Sequence, residues 1–152
     1  MTTRNTTIKT RTAAVIAGFG ALAAVATGAA AGAAHAGTLP AGQSTVAMTL
    51  TNHTDRTEYL AGANPGSGHW INAPRRTLAP GASEIVTAAA PHAQTVTVDY
   101  RIGTAGPHAI YQLVNTPAGA NTNATGTTGG HYFINANLSS GYPHTNVGYD
   151  LW

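Results

Sequence analysis

The sequence predicts an all-β fold, a single-domain antiparallel β-sandwich of about seven to eight short strands. Three observations predict it. Between residues 95 and 102, Val96, Val98, Tyr100 and Ile102 alternate with Thr95, Thr97, Asp99 and Arg101, the period of two of a strand with one packed and one wet face. Clusters of Gly, Pro, Asn and Asp recur at intervals of roughly ten residues, as turns do between short strands. No helical period of useful length appears after residue 36.

In chain order, Arg4, Lys9 and Arg11 precede an uncharged Ala/Gly/Val-rich run over residues 13–33, and Ala34-His35-Ala36 forms an A-x-A box before Gly37. Residues 1–36 therefore read as a secretory signal peptide, and the mature domain is expected to be secreted and extracellular. The run is about as long as a bilayer span. Its near lack of Leu and the box that follows favour cleavage over a retained anchor. Residues 37–44 read as a linker and residues 45–152 as the folded domain.

The first strand covers residues 45–52, with Val46, Met48 and Leu50 on one face. Asn52 to Asp55 turn the chain into a second strand over residues 56–61, and residues 62–68 are a Gly-rich loop. A short strand over residues 69–72 carries Trp70 and is closed by Pro74, which cannot donate to a ladder. After a turn at Ala79-Pro80-Gly81, residues 83–88 form the next strand. The 95–102 strand and its return arm then make a hairpin about residues 103–107. Because Ile110, Tyr111, Leu113 and Val114 give the return arm apolar atoms on both faces, it is expected to be central and covered on both sides. Residues 121–130 are Asn, Thr and Gly and are expected to be an exposed, mobile loop. Residues 131–138 and a last strand through Val147, Tyr149 and Leu151 complete the fold.

The formal charge of +2 and the pI near 9.2 belong to the leader. Beyond residue 36 only Arg56, Arg75, Arg76 and Arg101 stand against Asp55, Glu58, Glu84, Asp99 and Asp150, with no lysine. A near-neutral domain with no basic run gives no support for nucleic-acid binding by counterion release, nor for adhesion to anionic lipid. The absence of cysteine excludes a cysteine nucleophile, zinc-thiolate chemistry and disulfide staples.

Candidate chemistry was weighed motif by motif. His53, His69, His92, His108, His131 and His144 show no H-x-H or H-x-x-x-H pair and fall at turns or strand edges, so no metal or other cofactor is expected. Asp55 and Glu58 flank Arg56 near the first turn, and Asp99 and Arg101 share a strand face, where they form at most a surface ion pair. The Gly-rich segments about Ser67 and Thr127 lack the surroundings of a nucleophile elbow or a phosphate loop, and no catalytic residue is assigned. Three triplets, beginning at Asn52, Asn123 and Asn137, match the glycosylation sequon. Trp70, Tyr132, Tyr142, Tyr149 and Trp152 lie in or beside loops, where an aromatic ring can enter a lipid interface or stack on a sugar. Packing in the core is the plain alternative for each.

Taken in order, a set of motifs resembles the aegerolysin family of small secreted β-sandwich proteins. Leu50-Thr51-Asn52 is similar to its first-strand motif, Gly68-His69-Trp70 to its G-x-W, and Leu78-Ala79-Pro80-Gly81 to its (I/L)-x-P-G. Gly103-Thr104-Ala105-Gly106 with Tyr111 resembles its G-T-x-G and downstream tyrosine, and residues 115–121 its N-P-x-x-G-x-N region. The resemblance implies a non-catalytic protein that binds membrane lipid, often a sphingolipid headgroup, and that in some members is haemolytic or acts with a larger pore-forming partner protein. On that reading Trp70, Tyr142 and Trp152 are the candidate membrane-binding aromatics, with Arg75 and Arg76 as phosphate donors through their guanidinium forks. A carbohydrate-binding, lectin-like module that uses the same aromatics on a glycan is the alternative, followed by a structural or inhibitory secreted protein.

Overall fold

The structure, a computed structural model, describes residues 40–152. The expected signal peptide, residues 1–36, and residues 37–39 of the expected linker lie outside the described residues. The strands are β1 (Ser44–Asn52), β2 (Glu58–Asn64), β3 (His69–Asn72), β4 (Thr77–Leu78), β5 (Ser83–Ala90), β6 (Gln94–Ile102), β7 (His108–Thr116), β8 (Gly119–Asn121), β9 (Gly126–Thr127), β10 (Ile134–Leu138) and β11 (His144–Leu151). They form two packed sheets, ordered β10-β11-β1-β5-β3 and β4-β2-β6-β7-β8, with β9 also on β7. The all-β sandwich expected from the sequence is what the chain forms. β4, β8 and β9, at two or three residues each, are too short to carry an alternation that sequence could show.

Every pairing is antiparallel except one: β1 runs parallel to β11, from Thr45 opposite His144 to Asn52 opposite Leu151. The strand that opens the domain is therefore central, held between β5 and the strand that ends it.

Period-two alternation puts one side of each long strand inside. Val46, Met48 and Leu50 of β1 face Val96, Val98, Tyr100, Tyr111 and Leu113 of the other sheet, with Val86, Val147, Tyr149 and Leu151 beside them. Tyr111 meets Tyr100 and Tyr149 edge to face, at centroid distances of 6.4 and 5.5 Å. β7 is less covered than its composition suggested. Ala109, Tyr111, Leu113 and Asn115 are buried, whereas Ile110 and Val114, on its outer face, are only half-buried. Its free edge, by contrast, is covered more than expected, because residues 119–127 lie along it as β8 and β9. Thr125 reinforces this: its Oγ1 accepts from the Gln112 N–H at 3.0 Å and donates to the Gln112 carbonyl at 3.0 Å.

Two fully buried asparagines tie the sheets together, one at each end. At one end Asn115 of β7 donates through Nδ2 to Ser44 Oγ (2.9 Å) and to the Pro143 carbonyl (3.1 Å), while its Oδ1 accepts from Thr145 Oγ1 (2.7 Å). At the other, Asn52 of β1 donates to the carbonyls of Arg56 (2.7 Å) and Leu78 (3.1 Å) and accepts from the Thr54 N–H and hydroxyl. Burial at 0% exposure also removes Asn52 from the asparagines that a sequon would mark as accessible.

Replacing Asn115 by Ala strands the buried Thr145 hydroxyl and takes the donor from Ser44 Oγ, so Asn115→Ala is expected to lower stability by about 2–3 kcal/mol. Asn137→Ala, on an exposed position of β10, should change it by less than about 0.5 kcal/mol. Urea unfolding of the two variants checks the contrast.

Candidate functional site

The strand registers sort the aromatics and arginines singled out from the sequence. Trp70 sits opposite Ala88 of β5, an inward position, and is half-buried against the core. Tyr142 stands before β11 and Trp152 after it, so the eight residues of that strand hold them at opposite ends, about 26 Å apart at 3.3 Å per residue. Arg75 and Arg76 are exposed on the crossover from β3 to β4, with β5 and β1 lying between that edge and β11. The Arg75 N–H donates to Glu84 Oε2 (2.9 Å), and its carbonyl accepts from the Tyr100 hydroxyl (2.6 Å). The five candidates do not form one site.

What the fold does assemble is an aromatic row at the Trp152 end. Trp152 and Phe133 exchange both backbone hydrogen bonds, each at 3.0 Å, which makes them a directly opposed pair with side chains on the same face. Their neighbours Leu151 and Ile134 turn inward, so the pair faces outward. On the other side of Trp152 lies His53, just past the end of β1. Its ring stacks on the indole at 3.9 Å with an interplanar angle of 3°, and its Nε2 meets Asp150 Oδ1 at 2.9 Å. The row Phe133-Trp152-His53 thus crosses three chain segments. With 61% of Phe133 and 49% of Trp152 exposed, the row pairs two large exposed apolar side chains.

Beside the row, a cleft of about 250 Å³ opens between Arg56, Tyr132 and the turn 103–107. The turn is built tightly. Gly103 takes a positive φ of 69°, and a Cβ on Gly106 would meet the Ile102 carbonyl oxygen at 2.0 Å. Thr57 closes its base by accepting the Gly103 N–H at 2.8 Å.

Sequence reasoning missed Phe133, although the alternation of Tyr132, Ile134, Ala136 and Leu138 puts it on the opposite, outward face of that strand. Nor did it place His53, which needed the parallel β1–β11 pairing to bring it beside Trp152. Two further histidines have side-chain partners: His108 Nδ1 lies 2.7 Å from Asp99 Oδ1, and His144 Nδ1 lies 2.9 Å from Thr45 Oγ1. Asp99 is therefore matched across the hairpin by His108, rather than by Arg101 along its own strand. Among the described residues no group of three or more His, Asp or Glu side chains is disposed to hold a metal ion.

Glu58, read from the sequence only as a flank of Arg56, and Glu84, read only as part of its strand, are buried in the core. Parity carries the reason: Glu84 is in phase with Val86 and Ala88 on β5, and Glu58 lies opposite Ile102 and Leu78. The Tyr111 hydroxyl donates to Glu58 Oε2 at 2.8 Å, and the Tyr100 hydroxyl lies 2.6 Å from Glu84 Oε1. Glu58 Oε1 has no hydrogen-bond partner. Burial pushes the Glu58 carboxyl up to about 7, against the Tyr111 hydrogen bond and with help from the charge of Glu84. Burial is also the main cause that raises the phenols of Tyr100 and Tyr111, and it pushes Tyr149 up to about 12. Closed to solvent, these groups act on stability.

No family model matches the chain, and no curated protein matches it.

Two consequences are measurable. The folded state holds the Glu58 proton more tightly than the unfolded chain does, so its contribution to stability is full below about pH 4.5 and is lost as pH rises to about 7. That loss amounts to at most about 3 kcal/mol. Glu58→Gln keeps the shape, cannot ionise, and is expected to flatten stability between pH 5 and 8 in urea titrations at stepped pH. His53→Ala should leave the fold intact while freeing the indole, seen as a red shift of the Trp152 emission in a Trp70→Phe background.

Proposed function

We propose that this chain is a secreted, non-catalytic membrane-lipid-binding protein that enters the lipid interface with the Phe133–Trp152 end of its sandwich. The observation that carries the reading is that paired, outward-facing aromatic surface, fixed by reciprocal backbone hydrogen bonds and by the His53 stack. Burying one such ring contributes roughly 1.5–3 kcal/mol, enough for reversible binding when two act together. Attraction of an anionic surface adds little, because four arginines stand against five carboxylates beyond residue 36. Arg56, at the cleft beside the row, is the cation placed to meet a headgroup, a role that the sequence assigned to Arg75 and Arg76. The resemblance to aegerolysins supports the same reading. It extends it to sphingolipid-bearing membranes and to haemolysis with a larger pore-forming partner.

Co-sedimentation of residues 37–152 with vesicles of phosphatidylcholine, alone and with sphingolipid, tests the proposal. Trp152→Ala and Phe133→Ala are each expected to weaken vesicle binding about tenfold. Trp70→Ala should lower thermal stability and leave the binding of the folded protein unchanged. Equal binding by all four proteins, or none by any, overturns it.

A further inference from the structure

Beyond the aromatic row, the outward face of β10, β11 and β1 is made almost wholly of small amides, hydroxyls and one gap. Register places Asn135, Asp150 and Thr51 in the row behind Phe133-Trp152-His53, with Ser83 of β5 joined to Thr51 by a 3.0 Å hydroxyl–hydroxyl bond. The next row holds Asn137, Gly148 and Thr49. Asn135, Asn137, Thr49 and Ser83 are exposed. Gly148 makes the gap: a Cβ built there meets nothing within 4 Å, so the middle strand is recessed between an asparagine and a threonine. Neither lysine nor arginine occurs on β1, β5, β10 or β11, and the one carboxylate of the face, Asp150, is engaged by His53.

These features select a ligand chemistry. A surface with carboxamides on one side, hydroxyls on the other and a single carboxylate, Asp150, offers donors and acceptors in pairs and no lysine or arginine, which suits a ligand dense in hydroxyls and poor in charge. At its end stands Trp152. His53 stacks on one face of the indole, and 49% of Trp152 remains exposed, apolar surface on which a sugar can stack. A phosphate headgroup, by contrast, would find no cation along this surface.

We infer that the outer face of β10, β11 and β1 is a binding site for the neutral saccharide headgroup of a membrane glycolipid, stacked at Phe133–Trp152 and hydrogen-bonded along the Gly148 trough. The inference deepens the membrane reading, since both use the same two rings, and it names the headgroup that the inserted end would meet.

Gly148→Thr tests it. The added side chain projects into open space from a strand position without positive φ, so the fold should stand and only the trough fill. Asn135→Ala/Asn137→Ala removes one wall without adding bulk and serves if the first variant unfolds. Each protein is sedimented with phosphatidylcholine vesicles carrying no addition, sphingomyelin or glucosylceramide, and titrated with soluble cellohexaose by tryptophan fluorescence. Binding to glucosylceramide vesicles at least tenfold tighter than to the other two, lost in both trough variants, is the expected result. Equal binding to all three vesicles, untouched by Gly148→Thr, overturns the saccharide site and leaves the membrane reading standing. Binding of cellohexaose alone, lost in Gly148→Thr, overturns the membrane reading and the glycolipid source while the saccharide face stands. No binding of any probe overturns both.

Discussion

The two sheets are held in register by carboxamides rather than by shape alone. Packing of Val, Leu and Tyr side chains supplies most of the driving force for burial, but apolar contact is tolerant of small slides. Asn52 and Asn115 are not. Each sits on one sheet and makes directional bonds to the other, at 0% exposure, and a shift of one strand by two residues would leave several buried polar groups unpaired. The aromatic row inherits this. His53 follows Asn52 directly, so the bonds that fix Asn52 also set where the imidazole meets Trp152.

The buried acids have a similar bearing on the functional end. Glu58 begins β2 immediately after Thr57, whose carbonyl closes the base of the 103–107 turn, and that turn forms one wall of the cleft. A proton lost from Glu58 leaves a charge with one oxygen unpaired in the core, next to the segment that shapes the cleft. Core electrostatics and the geometry of the exposed end are thereby linked over a few residues, without any long-range path.

Much of the fold was legible because period-two alternation is strong in this chain. The 95–102 strand, the parity of β1 and the Gly/Pro turns all appear as the residues imply. Legibility ended where pairing, not alternation, decides the outcome. Nothing local in residues 119–127 says that they will lie along β7, and the parallel union of β1 with β11 joins segments almost a hundred residues apart. The site suffered most for the same reason. Trp152 was identifiable as an aromatic beside a strand end, yet its partners Phe133 and His53 come from β10 and β1, and only the sheet order makes the three neighbours. The inward position of Glu84 is legible in its phase with Val86 and Ala88, whereas Glu58 is buried through pairing with β4 and β6 that its neighbours in sequence do not announce.

The central position of β1 bears on when the domain can assemble. One edge of β1 is satisfied by β5, which follows within about thirty residues, but the other waits for the last strand of the chain. Contacts so distant in sequence are costly in loop entropy and slow to form, so a chain emerging from the ribosome keeps the donors and acceptors of that edge unpaired until β11 has been made. A domain built this way stays open late and closes in one step. That order of events makes β11, with Trp152 following it, both the latch of the fold and the bearer of its exposed aromatic surface.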